Sequence, residues 1–132
     1  MPLNPPSRLQ LFDIALEVLE REPDQEAGGA AAYEARIALS LLRLIRRELA
    51  LGDAFLEEEH RRLAALLGTP GDLAALNDAL CGQLRRGERD IADPRLLQHL
   101  RITTLAKLAI DNPRYSACRR AEARQPRPHC LD

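Results

Sequence analysis

The sequence is poor in the residues that build β-sheets. It contains no tryptophan, two phenylalanines and two tyrosines, and Ile, Val and Thr together make only 10 of its 132 residues. Leucine and alanine alone make 45. Because aromatic and β-branched residues favour strands whereas Leu and Ala favour helices, the composition argues against an all-β fold and predicts an all-α one. A chain of this length has room for one domain.

Long apolar runs and a disulfide framework are also absent. No stretch approaches the ~18 uninterrupted apolar residues of a membrane span, and no basic start followed by an apolar stretch marks a signal peptide. The three cysteines are odd in number and have no framework spacing, which is typical of reduced thiols inside a cell. We therefore expect a cytoplasmic protein, and the richness in Ala, Arg and Leu is typical of a bacterial one.

The charge is nearly balanced, with 19 Lys and Arg residues against 20 Asp and Glu residues. A net charge of -1 gives no strong attraction for nucleic acid or an anionic membrane, so we predict neither as a partner. The charge is uneven along the chain, because residues 112–132 carry a net +3 and residues 1–111 a net -4. An acidic body therefore precedes a basic tail.

Helix-capping residues divide the sequence into five amphipathic segments. Ser7 and Gln10 have the spacing of a capping box, in which each side chain bonds the other residue's backbone N–H group at a helix start. Further N-caps are predicted at Asp53, Asp72 and Asp93, the last of which is followed by proline at the first helical position. The five predicted helices therefore begin near residues 7, 30, 53, 72 and 94.

These segments predict a compact antiparallel bundle of about five helices over residues 1–113. Gly52 followed by Asp53 is interpreted as a sharp corner between the second helix, residues 30–51, and the third. Residues 114–132 lack apolar periodicity, so we expect them to form a disordered, Arg-rich tail.

The second helix is expected to lie at the centre of the bundle. Its predicted buried face contains Ile37, Leu41, Leu44 and Ile45 and is widened by Ala38, Leu42 and Leu49. With so few aromatic residues, layers of Leu and Ala must fill the core. Any Leu-rich face that the bundle leaves exposed would favour self-association, so we expect a homodimer.

No pattern in the sequence identifies a reaction. There is no glycine-rich phosphate loop, since Gly28 and Gly29 follow no predicted strand and have no lysine beside them. Cys118, His129 and Cys130 are capable metal ligands, but they lie in the predicted tail instead of on positioned elements. We therefore predict no catalytic residue, no metal and no cofactor.

His60 could carry chemistry if a pocket forms beside it. It lies at the edge of an apolar stripe and follows Glu57, Glu58 and Glu59, which spread around the helix. A general acid–base role with Glu57 or Glu59 requires an enclosed pocket at that corner, whereas a packed or surface histidine requires none. Both interpretations are open at this point.

Two other groups of residues are candidates for binding a ligand or a partner. Arg36, Arg43 and Arg47 form part of a polar stripe along the second helix. Lys107, the only lysine, lies near the end of the last predicted helix, and Tyr115 follows in the sequence NPRY. There is an alternative to a ligand site at Lys107 and Tyr115. In this alternative Lys107 forms a salt bridge at the helix end, and the ring of Tyr115 covers that end.

Four segments occur in a recognisable order: YEARIALSLLRLIRREL, LAALLG, LAALNDALCGQLRRGE and DPRLLQHLRITTLAKLAIDNPRY. In this order the chain, from about Ser7 to Tyr115, resembles a small bacterial domain of unknown function. Members of that family are found beside, or fused to, aminoglycoside-phosphotransferase-like kinases, often near acyl-CoA dehydrogenases, and no activity is established for them. The matching positions are Arg36, Asn77, Arg85, Gly87, Lys107, Asn112, Pro113 and Tyr115.

The resemblance implies a non-catalytic interaction or regulatory protein that accompanies a phosphotransferase-like enzyme. The alternative is a bundle that binds an acyl chain or acyl-CoA, in which Arg36, Arg43 and Arg47 bind the phosphates and Leu-rich faces enclose the chain. The second function needs a hollow interior, and the first does not.

Overall fold

Five helices form the regular structure of the described residues. The computed structural model describes residues 7–21 and 29–124, and no strand occurs among them. The helices are α1 (Arg8–Arg21), α2 (Ala30–Leu67), α3 (Leu73–Arg85), α4 (Pro94–Asp111) and α5 (Ser116–Arg124). The prediction of an all-α fold is confirmed. None of these helices has the length and apolar character that a membrane crossing needs.

The predicted helix starts at the capping box and at two aspartates are confirmed. The backbone N–H of Ser7 donates to Oε1 of Gln10 at 2.7 Å, and the backbone N–H of Gln10 donates to Oγ of Ser7 at 3.2 Å. The carboxylates of Asp72 and Asp93 accept backbone N–H bonds of 2.8 Å and 2.9 Å at the starts of α3 and α4. These bonds satisfy N–H groups that have no partner inside the helix.

The predicted corner at Gly52 and Asp53 is wrong, because α2 continues through both residues as one helix of 38 residues. A glycine inside a helix costs only about 1 kcal/mol relative to alanine, and the amphipathic pattern on both sides favours continuation. The helix ends at Leu67 and is followed by Gly68, whose φ of 66° lies in the left-handed region that glycine adopts without strain.

Helix α5 lies in the segment that the sequence analysis assigns to a tail without regular structure. Its sequence SACRRAEAR is rich in alanine and arginine, which favour helix even without an apolar period. Residues 125–132, with the candidate metal ligands His129 and Cys130, lie outside the described residues, and so do residues 1–6 and 22–28. The division into a domain of residues 1–113 and a tail stays a prediction.

The chain divides into two compact units, and unit 1 comprises Met1–Gly52. Helix α1 and the first part of α2 run antiparallel in it, since Asp13 pairs with Arg46 and Glu20, later in α1, pairs with Arg43, earlier in α2. Among the described residues of this unit, Leu16 alone is fully buried. Unit 1 is therefore a helical pair with little core of its own.

The predicted buried face of the second helix is wrong for most of its residues. Ile37, Leu41 and Ile45 are 42%, 56% and 42% exposed, and of the predicted face only Leu42 and Leu44 are half-buried. Leu39 and Arg46 are half-buried on the side of Leu42. The physical reason is that the described part of unit 1 has only two helices, so α1 can cover only one side of α2.

Unit 2, Asp53–Asp132, contains an apolar core. Leu63 of α2, Leu76 and Leu80 of α3 and Leu96 of α4 are at most 4% exposed and pack together. Leu76 and Leu80 are four positions apart on α3, so both lie on one face of that helix. Partly buried apolar side chains surround this core: Ala64, Leu66, Leu67, Leu73 and Leu84.

Candidate functional site

The three arginines predicted as a binding stripe have different surroundings in unit 1. Arg36 is exposed, and Arg47 is half-buried. The guanidinium of Arg43 donates to the carboxylate of Glu20 on α1. The positive charge of Arg43 is therefore already paired with a carboxylate, so the three arginines are not equally available to bind an anion. Their role in binding stays a prediction.

His60 bonds the loop that leads into α3. Its Nε2 lies 2.7 Å from the carbonyl oxygen of Gly71, and the residue is exposed. Since a carbonyl oxygen only accepts, Nε2 carries the proton in this bond. Glu57 is exposed, whereas Glu59 is buried. The structure therefore gives His60 a positioning role for the α2–α3 connection, and its participation in acid–base chemistry stays a hypothesis.

Lys107 and Tyr115 lie near the end of α4, and both are exposed. The backbone N–H of Asn112 closes this helix by donating to the carbonyl of Leu108 at 2.8 Å, and that of Tyr115 donates to the carbonyl of Asn112 at 3.0 Å. Half of the tyrosine surface remains exposed. The helix end is therefore closed by backbone bonds, and a binding role for the two side chains stays a prediction.

Sequence reasoning missed a cluster of polar residues at the edge of the apolar core of unit 2. Three helices contribute to this polar cluster: Glu59 and Arg62 come from α2, Asn77 from α3, and His99 and Thr103 from α4. Glu59 is 8% exposed and His99 only 4%. Charged and titratable groups are seldom buried to this degree without a specific reason.

The contacts within the polar cluster are long. Nδ2 of Asn77 donates to Oε1 of Glu59 at 3.5 Å and to the carbonyl of Leu73 at 3.1 Å. The guanidinium of Arg62 donates to Oγ1 of Thr103 at 3.4 Å and pairs with a carboxylate on its own helix. Within the described part of the chain, Nδ1 of His99 has no hydrogen-bond partner. The cluster is therefore only partly satisfied by hydrogen bonds.

The environment of His99 favours its neutral form. Burial lowers the pKa of His99 below its ordinary value of 6.5, the positive charge of Arg62 lowers it further, and the negative charge of Glu59 partly opposes both. The sequence signal was the spacing: His99 follows the core residue Leu96 by three positions, so both lie on one helix face.

A neutral imidazole beside a carboxylate is the usual pair for general acid–base catalysis, but it needs access to a substrate. Neither Glu59 nor His99 has that access, because both side chains are buried. Among residues 7–21 and 29–124, no three His, Cys, Asp or Glu side chains are grouped so that they could hold a metal ion. The polar cluster is thus better suited to a structural role than to a reaction.

Unit 1 exposes two rows of large apolar side chains. On α2, Tyr33, Ile37, Leu41, Ile45 and Leu49 recur every four residues and are 42% to 60% exposed. The row on α1 is 50% to 55% exposed and contains Leu11, Ile14, Val18 and Leu19. We call these nine residues the apolar rows. Scattered apolar residues are normal on a surface, but nine large apolar side chains exposed on two helices of one unit are more than scatter and favour an interaction site.

Unit 2 has an open cleft between α4 and α5. It has a volume of about 270 Å³ and is lined by Arg101 and Leu105 of α4 and by Arg120, Ala121 and Arg124 of α5. It contains none of the six residues that the sequence analysis selected.

The family of the chain can be established by comparison with known proteins. No curated protein and no solved structure matches the chain. A family model described as a domain of unknown function, DUF6285, matches residues 15–115. This match includes all of α2, α3 and α4, and it ends at Tyr115, where the sequence resemblance also ends. Since the match covers well over half of the 132 residues, the chain belongs to the DUF6285 family.

Proposed function

We propose that this protein is a non-catalytic interaction module that works as a homodimer, with the apolar rows of unit 1 as its dimer interface and a phosphotransferase-like enzyme as the partner of the dimer. The observation that carries the proposal is the exposure of the nine residues in the apolar rows. An interaction function of this kind needs no enclosed pocket and no reactive side chain.

Helix α1 is the clearest sign that unit 1 needs a further partner. Leu16 is buried and Phe12 is half-buried on one side of α1, whereas Leu11, Ile14 and Val18 lie on the opposite side and are about half exposed. Asp13, Glu17 and Glu20 form a polar face of α1, so the helix is amphipathic. Among the described residues its second apolar side, with Leu11, Ile14 and Val18, is left exposed and is available to a partner.

The apolar rows offer surface that a partner can bury. Each of the nine residues is 42% to 60% exposed, and burial of apolar surface favours association by roughly 25 cal/mol per Å².

A second copy of the chain is the occupant that the geometry favours. Two antiparallel helical pairs can combine into a four-helix bundle, in which each pair buries the face that it turns towards the other pair. A twofold axis brings the same patch of both copies together, so one sequence supplies both halves of the interface. The charge between and beside the rows is mixed, with Glu34 and Glu48 close to Arg36 and Arg47, so like charges need not meet across the axis.

The choice of a phosphotransferase-like enzyme as the partner of the dimer rests on the sequence resemblance alone. The acyl-CoA alternative has no specific structural support, because Arg43 is already paired with Glu20 and the described cleft is not lined by Arg36, Arg43 or Arg47. It stays a prediction, and thermal shift with a panel of acyl-CoA compounds tests it.

A matched pair of double variants tests the interface. The first, Leu41→Gln with Ile45→Gln, changes side chains of the apolar rows that are 56% and 42% exposed. The control, Leu97→Gln with Leu100→Gln, changes α4 side chains of unit 2 that are 51% and 42% exposed. Sedimentation equilibrium over about 1 to 100 μM gives the mass and the dimer dissociation constant of each protein.

We expect the wild-type chain and the control to be dimers, and the unit 1 variant to dissociate at least tenfold more readily, with unchanged helical circular dichroism. A monomeric wild type at about 100 μM, or equal weakening in both variants, would overturn the proposed interface. For the enzyme, a purified phosphotransferase-like kinase from the same organism is added in the same experiment. A complex at micromolar concentration supports the companion role, and its absence contradicts that role without affecting the dimer.

A further inference from the structure

Three arginines converge on the cleft between α4 and α5. Arg101 lies one turn before Leu105 on α4, and Arg120 lies one turn before Arg124 on α5, so each helix presents these positions on one face. All three arginines are exposed. The other two lining residues, Leu105 and Ala121, are apolar and half-buried. The cleft therefore combines a cationic rim with a small apolar floor.

Among the side chains that the structure describes, no carboxylate lines the cleft and none of the three guanidinium groups forms an ion pair. Elsewhere, Arg43, Arg46, Arg86 and Arg89 each have an acidic partner. Three like charges around one small cleft repel one another, and an anion bound between them would convert that repulsion into attraction. The cleft thus has the charge pattern of an anion site.

We propose that this cleft binds a small phosphate monoester, with the guanidinium groups of Arg101, Arg120 and Arg124 on the phosphate and with Leu105 and Ala121 against its organic group. A guanidinium pairs its N–H donors with two oxygens of a carboxylate or of a phosphate. Three guanidinium groups favour a phosphate because it has a third terminal oxygen and a larger negative charge.

The volume of the cleft limits the ligand. At about 270 Å³ it lies just below the range of ~300 to 1,000 Å³ that is typical of pockets for drug-sized ligands. A phosphate carrying one small apolar or aromatic group fits this volume, whereas a dinucleotide does not. Unit 1 takes no part in the cleft, so this inference stands or falls independently of the proposed dimer interface.

Phenyl phosphate and inorganic phosphate are the probes. Each is titrated into the ¹⁵N-labelled full chain at constant ionic strength, because non-specific attraction to exposed arginines is screened by salt. We expect saturable amide shifts confined to residues 101–105 and 120–124, with phenyl phosphate binding at least about threefold more tightly than inorganic phosphate because of the apolar floor. Equal or weaker binding of phenyl phosphate would contradict the assignment of Leu105 and Ala121.

Two double variants with the same loss of charge separate a site from general attraction. Arg101→Gln with Arg120→Gln should weaken phenyl phosphate at least about tenfold, whereas Arg61→Gln with Arg85→Gln should change it by less than about twofold. All four arginines are exposed, so both proteins should fold, and circular dichroism checks this. No saturable binding up to about 10 mM, or equal weakening in the two variants, would overturn the proposal.

Discussion

Acidification below about pH 6.5 should lower the free energy of unfolding because of His99. The pKa of this buried imidazole in the folded protein lies below its ordinary value of 6.5. Between these two pKa values the unfolded chain therefore binds more protons than the folded chain, so stability falls as the pH falls. Below the folded-state pKa both states are protonated, and the loss is complete.

The loss of stability on acidification has an upper limit, because it is set by the difference in bound protons between the unfolded and folded states. One proton bound in the unfolded state and not in the folded state changes the free energy of unfolding by about 1.4 kcal/mol per pH unit, so the loss between pH 6.5 and about pH 5 is at most about 2 kcal/mol. Protonation of three carboxyl groups with lowered pKa values reduces stability at lower pH. Hydrogen bonds from Arg46, Arg86 and the backbone of Arg95 lower the pKa values of Asp13, Glu88 and Asp93 from ordinary values of 3.8 to 4.5.

Urea unfolding followed by circular dichroism at half-unit pH steps measures this profile. His99→Gln replaces the imidazole by a neutral amide and should flatten the profile between pH 5 and pH 6.5. A wild-type profile that is flat or rises on acidification, or an unchanged slope in His99→Gln, would refute the reasoning about the polar cluster.

Three further predictions test the fold. Gly52→Ala should raise the free energy of unfolding by about 0.5 to 1 kcal/mol, because alanine favours helix more than glycine does. The added Cβ meets only Cγ of Glu48, at an ordinary contact distance of 3.5 Å. A lower free energy of unfolding in urea would favour a corner at Gly52 instead of a continuous helix. Leu63→Ala should lower the free energy of unfolding by about 3 to 5 kcal/mol, since Leu63 is 0% exposed. A decrease below about 1 kcal/mol in the same assay would show that Leu63 lies outside the core. Asp72→Ala should cost about 1 kcal/mol and lower the melting temperature through loss of the bond to the backbone N–H of Ala75, whereas Asp72→Asn should retain most of it.

Local signals in the sequence predicted the helix starts well. The capping residues Ser7, Asp72 and Asp93 act through neighbours two or three positions away, so their spacing alone contains the information. Gly52 misled because the local preference of glycine is weak, at about 1 kcal/mol, and the helix on both sides outweighs it. Only the structure shows which of these two local tendencies prevails.

Burial was harder to predict than helix formation. The apolar spacing of Ile37, Leu41 and Ile45 indicates an apolar face, but it does not reveal whether another helix covers that face. The polar cluster was missed because Glu59 and His99 belong to helices that are far apart in sequence. Only tertiary packing brings these two side chains together. The cleft likewise depends on α5, where arginine and alanine have no apolar period that would predict a packed helix.

The most direct test of the proposed interaction module is an isotope-filtered NOE experiment on a mixture of ¹³C-labelled and unlabelled chains. It reports only contacts between methyl groups of different copies. The proposed homodimer predicts such contacts between the rows on α1 and α2, for example between Ile14 or Val18 of one copy and Leu41 or Ile45 of the other. A spectrum without contacts between copies at a concentration of about 1 mM, or with contacts confined to Leu97 and Leu100 of unit 2, would contradict it.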